Sequence, residues 1–158
     1  MSNEEIKEII SSTLPSATYD ETGEWLNVII DSKDWEKIAA ECRNGALQMD
    51  FLFCLTCIDW KTHLTMVYHL TSTKHRHNIV VKANLDPAIA EIKSVCAIWR
   101  TAEFHEREVF EMFGVKFLNH PDLRKLILEE ETAGAVDGKT GYWPLRKDFE
   151  DPINMIKL

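Results

Sequence analysis

Three apolar runs that alternate with period two lie back to back in the middle of the chain, and they constrain its fold more than any other feature. The first is Met49 to Ile58. The second is Leu64, Met66, Tyr68 and Leu70, and the third Ile79, Val81, Ala83 and Leu85. Successive side chains on a strand point to opposite faces, so each run predicts a strand with one apolar face, and the short polar links DWK and STKHRH predict hairpin connections. Together they predict an antiparallel meander whose apolar face must be covered.

Amphipathic segments supply the cover. Ile6, Ile9 and Ile10 share one side of a helix from Glu4 to Ser11, which cannot continue through Pro15. Trp25 to Ile30 reads as a further strand. Trp35, Ile38, Ala39 and Cys42 then follow at helical spacing behind an Asp31 or Ser32 cap, ending near Gly45. Asp86 and Pro87 predict the start of a third helix with Ile89, Ile92, Cys96 and Trp99 as its apolar stripe. A fourth runs from a Thr101 cap to Phe113 and closes at Gly114. The expected fold class is α+β, a two-layer domain with a mostly antiparallel sheet and helices packed on one face, over residues 1–118. Past that point the periodicity dissolves, and residues 119–158 read as an extended C-terminal arm, longer than connections inside compact domains usually are.

The net charge of −8 repels a phosphate backbone, which argues against nucleic acid as a partner. The only concentrated basic run, Lys74, His75, Arg76 and His77, falls at a hairpin and reads as a solvated loop, with a patch for an acidic partner as the alternative. No apolar run has the length of a signal h-region or a membrane span, which predicts a soluble chain that is not exported. Four cysteines in apolar surroundings read as reduced core residues of a cytosolic protein. Cys54 and Cys57 stand i, i+3 on a strand and so face opposite ways, and no second pair completes a zinc tetrahedron.

The stretch TAEFHEREVFEMFGVKF, residues 101–117, concentrates His, Glu and Arg. A zincin needs a second His at position 109, which is Val, and a di-iron bundle needs a Glu at position 102, which is Ala. There is no phosphate-binding glycine loop and no G-x-S-x-G elbow, so no catalytic, cofactor-binding or metal-ligating residue is assigned. On a helical wheel Ala102, Val109 and Phe113 share a face with Phe110 beside it, while Glu103, Arg107 and Glu111 form an opposite, charged face with two i, i+4 ion pairs. Two residues break the pattern. Glu106 falls beside the apolar seam, where a carboxylate needs a cation, and Arg100, Arg124 or Arg146 is the expected partner of a clamp that pins the arm. Phe104 falls on the charged face, as a lone surface aromatic or as an anchor for another chain.

The blocks E-R-E-x-x-E-x-F-G-x-x-F from Glu106 to Phe117, H-P-D-L-R from His120 to Arg124, and P-L-R-K-D-F from Pro144 to Phe149 closely resemble the 30 kDa subunit, also called the C subunit, of respiratory complex I, the proton-translocating NADH:quinone oxidoreductase. Glu111 stands where that family often has Asp. The resemblance implies a non-catalytic structural subunit of the peripheral arm, on the cytoplasmic side of a bacterial inner membrane. It would carry no cofactor itself, with FMN, Fe-S clusters and quinone in partner subunits, and would pack on the D and B subunits of complex I. In that picture Phe104, Arg107, Glu108, Glu111, Gly114 and Phe117 are family-motif or interface residues. So are His120, Pro121, Asp122, Leu123 and Arg124, followed by Pro144, Leu145, Arg146, Lys147, Asp148 and Phe149, with Arg124, Arg146 and Lys147 as partner-facing cations. Related subunits of membrane-bound hydrogenases or other-donor oxidoreductases fit the same blocks. An independent enzyme using the 101–124 segment, or a soluble adaptor, are the readings from other classes.

Overall fold

The computed structural model describes residues 1–128 and 143–149. The three alternating runs form β3 (Phe51–Asp59), β4 (Leu64–Ser72) and β5 (His77–Leu85), an antiparallel meander as expected. β2 (Leu26–Asp31) adds to β5 in parallel, and β1 (Thr18–Asp20), which the sequence did not reveal, pairs antiparallel with β2, so the sheet order is β1-β2-β5-β4-β3. Register puts Val28, Val81, Tyr68 and Leu55 in one row and Ile30, Ala83, Met66 and Cys57 in the next, all of them buried. Alternation thus lays a single apolar face across four strands.

Helix α1 (Asn3–Thr13) starts at a capping box, in which the Ser2 hydroxyl accepts from Glu5 N–H and the Glu5 carboxylate from Ser2 N–H. It buries Ile6 and Ile10 on the sheet. Helix α2 (Trp35–Asn44) follows a 3-10 turn whose cap is the Asp31 carboxylate, and sinks Trp35, Ile38, Ala39 and Cys42. Trp35 stacks on Tyr68 with ring centroids 3.9 Å apart and lies 6.3 Å from Trp99, whose indole N–H donates to the Met49 carbonyl. The α+β architecture is therefore the expected one.

The third expected helix does not form. The Asp86 carboxylate accepts from Ala88 N–H in a tight turn, Ala90 takes φ 44°, and Glu91–Lys93 becomes strand β6. β6 pairs in parallel with β7 (Lys116–Leu118), joining Ile92 to Phe117 in register. Ile92 and Trp99 of the supposed stripe are buried, while Ile89 is 66% exposed. Pairing with a strand 25 residues away overrides the local helical pattern. Helix α3 (Ala102–Phe113) forms as expected and ends at Gly114 in the left-handed region, φ 71°. Thr101 precedes it, but its hydroxyl donates to the Leu52 carbonyl instead of capping.

Candidate functional site

Helix α3 carries the site. Glu106 is fully buried, and its Oε1 accepts from Val95 N–H at 2.8 Å. Its Oε2 lies 3.3 Å from the donating Cys96 Sγ and 3.9 Å from His120 Nε2. His120 is the first residue after β7 to return to α3. Its Nδ1 accepts from Asp122 N–H at 3.0 Å, which leaves the proton on Nε2, 3.1 Å from the Glu103 carbonyl. Burial pushes the Glu106 carboxyl above its ordinary range, against the opposing pull of the Ser94 hydroxyl, Val95 N–H, Cys96 thiol and His120. Burial also raises the Cys96 thiol to about 12.

Glu106 accepts from Val95 N–H and the Cys96 thiol and lies 3.9 Å from His120, and none of the three arginines expected as its partner contacts it. Among the described residues Arg124 pairs with Asp122 at 2.8 Å, Arg146 donates to the Phe113 carbonyl, and Arg100 is exposed. An amide and a thiol already donate to the carboxyl and the His120 imidazole lies beside it, so no arginine charge has to be desolvated.

Arg107 and Glu111 also depart from the wheel. The charged face expected in solvent is roofed by residues 124–128, and both side chains are buried. Arg107 Nε and Nη2 donate to the carbonyls of Arg124 and Lys125 at 3.0 and 2.7 Å. The Glu111 carboxylate accepts from three consecutive amides, Leu126, Ile127 and Leu128, at 2.9, 2.8 and 3.2 Å. Among the described residues no ion pair links Glu103, Arg107 and Glu111. The charges of Arg107 and Glu111 are spent on main chain that has left regular structure and has no ladder to join.

A third grip closes the C-terminal end of α3. Arg146 Nε donates to the Phe113 carbonyl at 2.6 Å and Leu145 N–H to the Met112 carbonyl at 3.1 Å, while the guanidinium sits 4.4 Å over the Trp143 ring. A cation satisfies helix-terminal carbonyls well. Gly114 is needed here twice, for its positive φ and because a Cβ would overlap the Trp143 ring. Lys147 N–H donates to the Asp59 carboxylate at 2.9 Å, and its ammonium lies 5.8 Å from the Trp60 ring.

The remaining motif residues divide by exposure. Phe117 is buried and Leu123 packs on the core, while Pro144 and Phe149 are half-buried. Glu108, Pro121, Asp122, Leu145 and Asp148 are exposed. Phe104 is 57% exposed, with Arg107 5.6 Å from its ring. The parts of the arm at 129–142 and 150–158 lie outside the described residues. Sequence reasoning missed Val95, Cys96 and Trp143, which no spacing rule links to α3. Among the described residues, a cleft of about 320 Å³ is lined by Asp59, Lys61, Arg146 and Lys147. A further cleft, of about 770 Å³, is lined by Arg43, Cys96, Arg100, Glu103 and Asn119.

The profile of a family described as "Respiratory-chain NADH dehydrogenase, 30 Kd subunit" matches residues 28–153. This chain belongs to that family. The C/D subunit of NADH-quinone oxidoreductase from Phocaeicola vulgatus is 41% identical over 112 residues, 70% of this chain, which spans only 20% of that relative's length. The C subunit of the F(420)H(2) dehydrogenase of Methanosarcina mazei is 38% identical over 120 residues, covering 75% of this chain and 72% of that one. The fold matches the Nqo5 fragment (1-134) with a TM-score of 0.66 at 22% identity, over 75% of this chain and 98% of that one. It also matches a chain of the archaeal membrane-bound sulfane sulfur reductase, with a TM-score of 0.75 at 23% identity, over 96% of this 30 kDa-family chain and 87% of the other. The 30 kDa-family chain thus resembles C-type subunits of oxidoreductase complexes over most of its own length. Among its described residues no helix is long and apolar enough to cross a membrane.

Proposed function

We propose that this chain is a scaffolding subunit of the peripheral arm of a proton-translocating NADH:quinone oxidoreductase, docked on the D and B subunits at the cytoplasmic face. It would carry none of the flavin, Fe-S clusters or quinone, which reside in partner subunits. One observation carries the reading. The polar side chains of the family motif on α3 hold this chain's own arm, while Phe104, Leu126, Ile127 and Leu145 remain exposed for a neighbour. Buried aromatic and aliphatic anchors are what such contacts use. The D subunit as a neighbour is further supported by relatives in which C and D form one chain. Residues 1–118 act as the domain and 119–158 as the arm that reaches the partners.

A second reading, an equivalent subunit with another electron donor, is favoured by the F(420)H(2) dehydrogenase relative, which matches this chain over most of its length. One experiment separates the two. The chain is tagged in its own cells, membranes are solubilised gently, co-purifying proteins are identified by mass spectrometry, and iron and flavin are assayed. NADH-oxidising subunits together with quinone-site subunits are expected. Recovery of a different donor module selects the second reading, and a cofactor-free chain without partners overturns both.

A further inference from the structure

Cys96, Glu106 and His120 come from a turn, a helix and the root of the arm, yet their donor atoms lie within 4.8 Å of one another. Their separation in the sequence, by ten and fourteen residues, matches no metal-binding motif, and none of the three is assigned a ligand role by family membership. We propose that they form a zinc-class metal site that fastens the root of the arm to the domain.

Glu106 Oε2 is the shared vertex, 3.3 Å from Sγ and 3.9 Å from Nε2, while Oε1 remains held by Val95 N–H. Ligand atoms at zinc bond lengths stand about 3.3–3.8 Å apart on the edges of a tetrahedron, so the two observed edges need little change. The mixture of thiol, imidazole and carboxylate selects a borderline ion over calcium or magnesium, which take oxygen ligands. The side chains of Glu106 and His120 are fully buried, whereas Cys96 lines the cleft of about 770 Å³, which gives an ion its entry and water the fourth position. Binding requires two changes. The thiol must release its proton, and His120 must move its proton from Nε2 to Nδ1, giving up the amide bond from Asp122. Nδ1–H then needs an acceptor, the usual support of a metal-bound histidine, and the Asp122 carboxylate, which pairs with Arg124 at 2.8 Å, would have to turn to it. Three hydrogen bonds, from Asp122 N–H to Nδ1, from Nε2–H to the Glu103 carbonyl and from the Cys96 thiol to Glu106, are exchanged for three coordinate bonds.

The test uses the full chain, freed of metal and titrated with Zn²⁺ against a chromophoric chelator, and with Co²⁺ to read the thiolate-to-cobalt charge-transfer band. One equivalent is expected to bind with that band present. Cys96→Ser should abolish the band and weaken zinc on the order of 100-fold or more, and Asp122→Ala should weaken it by roughly 10- to 100-fold. Replacing His75 and His77, a half-buried pair with ring centroids 5.9 Å apart, should change neither. Circular dichroism of the metal-free variants separates loss of a ligand from loss of fold. If the folded wild-type chain shows no band, or if folded Cys96→Ser binds zinc as tightly as wild type, the site does not exist.

Discussion

Glu106 is the residue at which a simple helical wheel and the folded chain agree on position and differ on chemistry. The wheel puts a carboxyl in the apolar seam, and charge reasoning then asks for an arginine. What the chain supplies is the Val95 amide, the Cys96 thiol and the His120 imidazole. Those partners accept a carboxyl that burial has pushed toward its neutral form, a cheaper solution than burying an ion pair. Glu106→Ala strands the Val95 amide and opens a void, and should cost about 2–4 kcal/mol of stability. Glu106→Gln keeps an acceptor for that amide and should cost about 1 kcal/mol. Thermal melts of both variants check this, and an alanine variant that melts with wild type would show that the clamp contributes nothing.

At the scale of elements, α3 organises the described residues of the arm that follow it. His120 is held at its N-terminal turns, residues 124–128 along its polar face, and Trp143 to Arg146 at its C-terminal end. The middle grip is directed at main chain rather than side chains, so it tolerates what residues 124–128 happen to be and depends on Arg107 and Glu111. Arg107→Ala or Glu111→Ala leaves two carbonyls or three amides to find water, at about 1–2 kcal/mol each. Because that cost falls on local opening, tryptic cleavage after Arg124 or Lys125 should accelerate by roughly tenfold. Cleavage of both variants at the wild-type rate would mean that the segment is held by something else.

For the whole molecule, the sheet, the three helices and the described parts of the arm form one frame that leaves Phe104, Leu126 and Ile127 exposed. Phe104 stays on the outside of α3, beside the Arg107 that grips the arm, so the same helix orders the arm and presents an aromatic to a neighbour. If Phe104 is an anchor, Phe104→Ala weakens assembly by about 2 kcal/mol, roughly 30-fold, while the melting temperature of the isolated chain stays within about a degree of wild type. Quantifying partner subunits recovered with each tagged variant decides it. Normal recovery returns Phe104 to an ordinary surface position.

The sequence alone determined the meander, helices α1, α2 and α3, and their buried faces, because period-two and period-3.6 patterns are local and the sheet needs only one apolar side. It also determined the left-handed stop at Gly114 and, through three spaced blocks, the family. Tertiary structure decided the rest. Residues 86–99 follow a helical pattern, yet they become a turn and a strand, because Phe117 offers Ile92 a register that no local rule contains. Arg107 and Glu111 follow a solvated pattern yet are buried, because the path of residues 124–128 determines which face of α3 meets water. Cys96 and His120 meet at Glu106 for the same reason: convergence at one carboxylate oxygen is a property of three segments packed together, and spacing along the chain does not encode it.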